Sequence, residues 1–192
     1  MLSSASSGIL EYRPRIEDYD SEEAADLEKF FMTAQAVLEE TAADPDDVQR
    51  LYRYGGSSGG ARPKVNVMID DELWIVKFPS SFDGRSAGVH EYECMKRAED
   101  AGINVAEYKL LESESTDGFF ASKRFDRKNG QRIHMISLSG LLESSFRYPS
   151  LDYSHLMKVT LLITKSDEEV LEAFRRACFN VFAGNQDDHG KN

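Results

Sequence analysis

The sequence predicts an α+β protein in which a small, mainly antiparallel sheet precedes a helical part. Two observations carry this prediction. Strand-like runs with alternating apolar side chains occur between residues 64 and 125, interrupted by one helical run, whereas apolar residues after residue 135 recur at helical spacing. The chain has 192 residues, of which 41% are hydrophobic, so it is long enough for one domain or two small lobes with a core.

Charge and cysteine usage limit the function classes. The net charge of −11 argues against direct binding to nucleic acid or to an anionic membrane, because phosphates would repel such a surface. The chain has no apolar run of about 18 residues, and its start lacks the basic-then-apolar order of a secretion signal. Cys94 and Cys178 lie in apolar helical patterns. We therefore expect reduced core thiols and a cytoplasmic protein without membrane partners.

Residues 1–53 are predicted to form an N-terminal helical segment after an irregular start. A first helix is expected to begin with Ser21 as its cap and to end near Ala43. A second, short helix is expected to have Asp44 as its cap and Pro45 at its first position. Neither helix carries a chemical motif.

Residues 54–126 are predicted to form a sheet lobe that opens with a Gly-rich loop. Tyr54–Lys64 reads YGGSSGGARPK, a composition that lets backbone amides turn inward around a phosphate. A flexible linker between two domains is the alternative. Strands over residues 64–69 and 72–79, joined by a polar turn, follow at once and favour the loop.

The second of these strands presents a lysine on an apolar face. Alternation along ELWIVKFP places Lys77 among bulky apolar side chains, where an ammonium is costly unless it meets an anion. A lysine that snorkels from a sheet edge is the alternative. A helix over residues 86–101 would present Glu91, in preference to Glu93, as the partner of this lysine. A solvated surface glutamate explains either residue equally well.

Two more strands, over residues 105–112 and 119–125, lead into the polar loop RKNGQ. This position suits a hinge between lobes, where backbone groups of Lys123 and Phe125 would contact an adenine edge. Residues 127–192 are then predicted to begin a helical lobe.

The helical lobe is predicted to contain helices over residues 135–142, 153–163 and 167–183. The last has Ser166 as its cap and an apolar stripe that includes Phe174 and Val181, so we expect a central helix.

This helix leads into GNQDDHGKN, in which Asp187 precedes Asn192 by five positions. A protein kinase holds its catalytic base and a magnesium ligand at this spacing. An exposed polar turn near a chain end is the alternative.

In this order, the motifs resemble those of the HipA-like serine/threonine kinases of bacterial toxin–antitoxin systems. The resemblance covers Tyr54–Asn192 and is carried by SSGGARPK, WIVKFP, HEYECMKRAEDAGINV, SKRFDR and GNQDDHGKN. It implies a protein-kinase-like bilobal fold, with a small sheet lobe and a helical catalytic lobe. It also implies that Lys77 and Asp187 converge around one triphosphate.

The resemblance implies ATP and Mg²⁺ as ligands and phosphoryl transfer to a protein serine or threonine. Asp187 corresponds to the catalytic aspartate and Asn192 to a magnesium ligand, while Ser57 or Ser58 corresponds to an autophosphorylated serine. The residues implied to bind ATP are Gly59, Gly60, Ala61, Arg62, Lys64, Lys77, Lys123, Arg124, Phe125, Asp188 and His189. The family's protein substrates include translation components such as aminoacyl-tRNA synthetases, and its partner is a HipB-like antitoxin.

The sequence also departs from the family pattern. The second, metal-binding aspartate of the family follows the catalytic loop and has no counterpart here, so we expect a truncated protein with impaired kinase activity. One alternative is a module that binds nucleotide or a partner without catalysis. Another is a structural protein whose Gly-Ser stretch links two domains.

Overall fold

The structure is a computed structural model that describes residues 6–10, 26–56, 62–145, 148 and 150–191. In chain order its elements are α1 (Leu27–Leu38), α2 (Pro45–Gly55), β1 (Lys64–Ile69), β2 (Glu72–Lys77), α3 (Ala87–Asp100), β3 (Tyr108–Leu111), β4 (Phe119–Lys123), β5 (Arg127–Lys128), β6 (Gln131–Arg132), α4 (Leu138–Leu141), α5 (Tyr153–Thr164) and α6 (Asp167–Phe182). The chain divides into two compact units. The first comprises Met1–Met95 and Ala106–His134, and the second comprises Lys96–Val105 and Met135–Asn192.

The first unit is built on a four-stranded antiparallel sheet with the strand order β1-β2-β4-β3. β1 and β2 form the predicted hairpin, and both turn residues, Asp70 and Asp71, have positive φ angles of 52° and 61°. A two-residue turn of this kind matches the right-handed twist of the flanking strands. The predicted combination of antiparallel sheet and helices is therefore present.

One face of this sheet forms the core of the first unit. Trp74 and Val76 from β2 are buried, whereas Lys77 is only partly buried, as alternation along the strand predicts. The core is completed by residues of α1, α2 and the neighbouring strands. Its buried members are Phe30, Ala34, Tyr54, Val65, Val67, Trp74, Val76, Phe78, Phe119 and Ala121.

The N-terminal helices partly confirm the predictions. Asp44 caps α2 and Pro45 is its first residue, as expected. The prediction for α1 was wrong at both ends, because Asp26 rather than Ser21 caps it and it ends at Leu38 rather than near Ala43. Glu40 takes a left-handed conformation with φ 54°, and the main chain closes back on the last turn. This closure is a Schellman motif. Its left-handed residue is usually glycine, so the glutamate at this position gave no sequence signal for the end of the helix.

The second unit contains α4, α5 and α6, with α5 packed against α6. Ser166 caps α6 as predicted, and Asp152 caps α5 in a reciprocal capping box with His155. Glu172 of α6 accepts a hydrogen bond of 3.0 Å from the main-chain N–H of Asn104. This contact attaches the segment after α3 to α6.

Three further predictions were wrong. The polar loop RKNGQ is a hairpin of β5 and β6, because Asn129 and Gly130 adopt the positive φ angles of a two-residue turn. Cys94 is exposed rather than in the core. The stripe on α6 is largely exposed, with Phe174 at 55% and Val181 at 66% of their full exposure. In the described part of the chain, therefore, α6 is not a central, covered helix.

Among the described residues, no helix is long and apolar enough to cross a membrane.

Candidate functional site

The first unit contains an ion pair between a strand lysine and a helix glutamate. Lys77 ends β2, and its Nζ lies 2.6 Å from Oε2 of Glu91 in α3. The two side chains are 37% and 27% exposed, so solvent reaches the pair. The ammonium also lies 5.4 Å from the ring centroid of Phe120, within reach of a cation–π contact. The structure thus pairs Lys77 with Glu91, while the role of this pair in ATP binding stays a prediction.

A second lysine lies directly opposite Lys77. Lys64 of β1 is the cross-strand partner of Lys77, so both side chains are on the same face of the sheet. Burial lowers the pKa of Lys64, and the positive charge of Lys77 lowers it further, against the opposing effect of Glu91. The Lys64 ammonium is therefore within electrostatic reach of the Lys77–Glu91 ion pair, and two lysines on one face of the sheet suit an anion.

Arg62, also predicted to bind ATP, forms a bidentate ion pair with Asp83. The guanidinium donates from Nε at 2.9 Å and from Nη2 at 2.8 Å. The same carboxylate accepts from the backbone and the hydroxyl of Ser80 at 2.9 and 2.7 Å. The hydrogen bonds from Arg62 and Ser80 hold the pKa of Asp83 well below its usual range. In this structure, Arg62 is part of a side-chain clamp on the loop after β2.

The predicted hinge, Lys123 to Phe125, is only partly available to a ligand. The Lys123 N–H donates to the Glu107 carbonyl at 2.8 Å, and its Nζ lies 3.1 Å from Glu72 and 3.3 Å from Glu107. Ion pairing with both glutamates raises the pKa of Lys123. Phe125 is 70% exposed. A contact of this hinge with adenine would therefore use the main chain at Phe125 rather than the N–H of Lys123.

The Arg124 side chain points into the protein and not towards a ligand. Its guanidinium donates to Asp126 from Nε at 2.8 Å and from Nη2 at 2.6 Å, and both side chains are at most 4% exposed. Arg127 donates to the same carboxylate at 2.9 Å. Together with Arg132, these residues form a group that we call the hinge cluster.

The hinge cluster binds the described N-terminal residues of the chain. The carbonyl of Ser6 accepts from Arg124 at 3.1 Å and from Arg127 at 2.8 Å. The N–H of Gly8 donates to Asp126 at 2.7 Å. Arg132 donates to the Leu10 carbonyl at 2.7 Å and to the Ser6 hydroxyl at 3.1 Å. We call Ser6–Leu10 the N-terminal strap.

The predicted catalytic loop follows α6 in the second unit. The side chain of Asp187 is 90% exposed, and its main-chain N–H donates to the side chain of Asn185 at 3.1 Å. Nε2 of His189 lies 3.6 Å from the Asp187 carboxylate. Asp187 and His189 thus share the exposed side of the loop. Because Lys77 and Asp187 belong to different units, their convergence stays a prediction.

Asp188 forms hydrogen bonds with the helices. Its carboxylate accepts a hydrogen bond from the hydroxyl of Tyr153, at the start of α5, and one of 2.8 Å from the side chain of Asn180 in α6. The hydrogen bond to Asp188 raises the pKa of Tyr153. Asp188 was predicted to bind ATP, but in this structure it anchors the loop.

Gly190 provides a second anchor. Its carbonyl accepts from the N–H of Ser139 in α4 at 2.7 Å. A Cβ at this position would lie 2.6 Å from the Ser139 hydroxyl oxygen and 2.7 Å from a methyl group of Leu151. A larger residue would require the side chains of Ser139 and Leu151 to move, so Gly190 allows a close approach of the loop to α4.

Six predicted site residues lie outside the described residues. They are Ser57, Ser58, Gly59, Gly60, Ala61 and Asn192. In the part of the chain that the structure describes, no group of three or more His, Cys, Asp and Glu residues could hold a metal ion.

Comparison with known proteins identifies the family. The family described as HipA-like C-terminal domain matches residues 56–192. The chain belongs to the HipA-like C-terminal domain family. No curated protein matches it. One solved structure similar to the HipA-like chain is that of the Shewanella oneidensis MR-1 toxin–antitoxin system HipA in complex with HipB and its operator DNA.

The likeness to this HipA establishes the fold. The two chains share 23% sequence identity with a TM-score of 0.54. The match covers 71% of the HipA-like chain and 39% of the Shewanella HipA chain. The predicted fold, an antiparallel sheet followed by helices, is thereby confirmed. The N-terminal strap precedes the family match.

Sequence reasoning missed two groups of residues in the HipA-like chain. Asp126 lies between Arg124 and Arg127 in the segment RFDR, which indicates a charge cluster. The segment does not indicate that Asp126 also binds Gly8, 118 positions earlier in the chain. Tyr153 and Asn180 carried no signal, because their common partner, Asp188, joins them only after α5 and α6 pack.

Proposed function

We propose that this chain is the nucleotide-binding part of a HipA-like, ATP-dependent serine/threonine protein kinase. The observation that supports the proposal most is the Lys77–Glu91 ion pair at 2.6 Å, with Lys64 directly across the sheet. A protein kinase uses a strand lysine, held by a helix glutamate, to bind the phosphates of ATP. In a chain with a net charge of −11, the two lysines on this face would supply the positive charge that phosphates need.

The proposed reaction assigns distinct roles to the residues. Asp187 would orient the hydroxyl of a substrate serine or threonine and accept its proton as the hydroxyl oxygen bonds to the γ-phosphorus. The bond from the γ-phosphorus to the β,γ-bridging oxygen breaks, and ADP leaves. Lys77 would neutralise charge on the phosphates. Mg²⁺, held in part by Asn192, would supply further positive charge when bound.

The exposed position of Asp187 agrees with this role. Its side chain is 90% exposed, whereas Asp188 and Gly190 attach the loop to α6 and α4 by hydrogen bonds. A catalytic base must reach a substrate hydroxyl within hydrogen-bond distance, so an outward carboxylate on an anchored loop is suitable.

Nucleotide binding tests the proposal directly. Titration calorimetry with Mg-ATP would compare the wild-type chain with Lys77→Met and with the matched control Lys109→Met. Both lysine side chains are 37% exposed, both are ion-paired and both lie over an aromatic ring. The strand registers place them on opposite faces of the sheet. The control therefore matches the charge and surroundings of Lys77 but not its position.

We expect Lys77→Met to weaken ATP binding by about 10- to 100-fold, since a hydrogen bond to a charged group contributes about 1.5–3 kcal/mol. Lys109→Met should bind ATP like the wild type. Equal losses in the two variants would refute the assignment of Lys77.

A second candidate function is a module that binds nucleotide or a partner protein without catalysis. The exposed apolar side chains of α6, among them Phe174, Val181 and Phe182, favour it, because a partner could cover them. Mass spectrometry after incubation with Mg-ATP separates the two functions. Only the kinase predicts phosphate on Ser57 or Ser58 that disappears in Asp187→Asn.

The partner and substrate follow as parts of the same proposal. The Shewanella HipA structure contains HipB, so we expect a HipB-like antitoxin to bind this protein. The protein substrate is proposed to be a component of translation, such as an aminoacyl-tRNA synthetase.

A further inference from the structure

The N-terminal strap makes main-chain hydrogen bonds to each charged side chain of the hinge cluster. Among the described residues, the cluster brings the guanidinium groups of Arg124, Arg127 and Arg132 to one end of the sheet with the carboxylate of Asp126. The strap supplies carbonyl oxygens to all three arginines and one N–H to the carboxylate. Because these contacts are mostly to main-chain atoms, the cluster recognises the turned backbone of the strap rather than particular side chains.

The contacts of the strap with Arg124 and Asp126 are buried and therefore strong. Asp126 is 4% exposed as a side chain and Ser6 is 1% exposed as a residue. In such surroundings a charged group without its hydrogen-bond partner is costly. We therefore expect the strap to remain docked while the first unit is folded.

The docked strap fixes the residues on both sides of Phe125, the last residue of the predicted hinge. Phe125 lies between Arg124 and Asp126, whose side chains are held in the buried network, while its own side chain is 70% exposed. Asp126 also accepts a hydrogen bond from Gly8, so the main chain around Phe125 is tied to the strap. A ligand that contacts this main chain meets a preorganised surface.

We propose that the N-terminal strap and Asp126 are positioning elements for the adenine end of the nucleotide site. This inference rests on the proposed function, because it assigns the main chain at Phe125 to adenine. When the strap is released, the hinge loses preorganisation and part of the binding free energy is used to order it. The hydrogen bonds of the strap go to Arg124, Asp126, Arg127 and Arg132 rather than to Lys77, so we expect the phosphate end to keep its affinity.

Gly8→Pro is the variant that releases the strap. Gly8 has a φ of 65°, which proline cannot adopt, and the substitution removes the N–H that donates to Asp126. Arg132→Ala is a second, milder variant, because it removes the contacts to Ser6 and Leu10 without touching the buried pair. Ile9→Ala is the control, since the Ile9 side chain is 50% exposed. Hydrogen exchange of the strap amides verifies its release.

The experiment compares two ligands on the full chain by titration calorimetry, ATP and inorganic triphosphate. We expect Gly8→Pro to bind ATP about fivefold more weakly, a modest loss typical of ordering costs, and to bind triphosphate as the wild type does. Arg132→Ala should show a smaller loss in the same direction, and Ile9→Ala none. Lys77→Met should weaken the binding of both ligands.

The outcomes separate this inference from the proposed function. If strap exchange increases in Gly8→Pro or Arg132→Ala and ATP affinity is unchanged, the positioning role is overturned and the kinase proposal stands. If ATP and triphosphate affinities fall equally in both strap variants, the strap acts on the whole unit and the inference is also overturned. If the wild type binds neither ligand, the proposed function fails, and this inference fails with it.

Discussion

Replacing Asp126 by asparagine should destabilise the first unit strongly. The carboxylate accepts two hydrogen bonds from Arg124 at 2.8 and 2.6 Å, one from Arg127 at 2.9 Å and one from Gly8 at 2.7 Å. Asparagine has the same shape but no charge, and its amide group turns donors towards the guanidinium groups. Breaking a buried ion pair costs about 3–5 kcal/mol, and we expect about 3 kcal/mol here because one acceptor oxygen remains.

Asp70→Asn is the matched control for this substitution. Asp70 pairs with Lys109 at 3.1 Å, but its side chain is 84% exposed, so the loss should stay below about 1 kcal/mol. Urea unfolding followed by fluorescence measures both effects, since Trp74 is the chain's single tryptophan and is buried in the core of the first unit. A loss for Asp126→Asn that does not exceed the loss for Asp70→Asn would refute the reasoning.

The wild type and Asp126→Asn should also differ in how their stability depends on pH. Burial alone would raise the pKa of Asp126, but the hydrogen bonds from Arg124 and Gly8 and the nearby guanidinium charges outweigh it and lower the pKa. A carboxylate with a lowered pKa stabilises the fold above its unfolded-state pKa of about 3.9 and loses this contribution as the pH falls. The stability difference between wild type and Asp126→Asn should therefore be full at neutral pH and shrink below about pH 4.

Two further predictions concern the predicted catalytic loop. Gly190→Ala should destabilise the second unit by about 1–3 kcal/mol in thermal unfolding, because its Cβ would lie 2.6 Å from the Ser139 hydroxyl oxygen. Gly84→Ala, where a Cβ meets nothing within 4 Å, is the control and should be close to neutral. Tyr153→Phe should increase hydrogen exchange in the loop, and combining it with Asp188→Ala should give less than the sum of the two effects, since both changes remove the hydrogen bond between Tyr153 and Asp188. Additive effects in the double variant would contradict this link.

Local signals in the sequence were sufficient for most elements of the first unit. Alternation along β2 correctly predicted that Lys77 lies on the face opposite Trp74 and Val76, and the structure shows that the face of Trp74 and Val76 forms the core. Asp44 and Ser166 were recognised as caps because their side chains act within one helical turn. The turn Asn129-Gly130 is an equally local signal, and the polar residues around it concealed a hairpin.

The remaining predictions failed because they depend on contacts between residues that are far apart in the chain. Cys94 sits in an apolar helical pattern, but the pattern does not say which side of α3 the rest of the chain covers. Asp188 and His189 are neighbouring polar residues. Only the packing of α5 and α6 decides that Asp188 binds these helices while His189 lies near Asp187. The family resemblance had assigned both of them to ATP.

The sequence by itself determined the order of the main strands and helices along the chain and the position of Lys77 on β2, because these depend on periodicities within each segment. It favoured Glu91 over Glu93 but left a solvated glutamate open, and the tertiary structure decided that Glu91 pairs with Lys77. Tertiary structure alone decided that the N-terminal strap docks on the hinge cluster and that Asp188 faces the helices. Such contacts join residues far apart in the chain, and their free energy arises only when burial makes an unsatisfied charge or hydrogen bond costly.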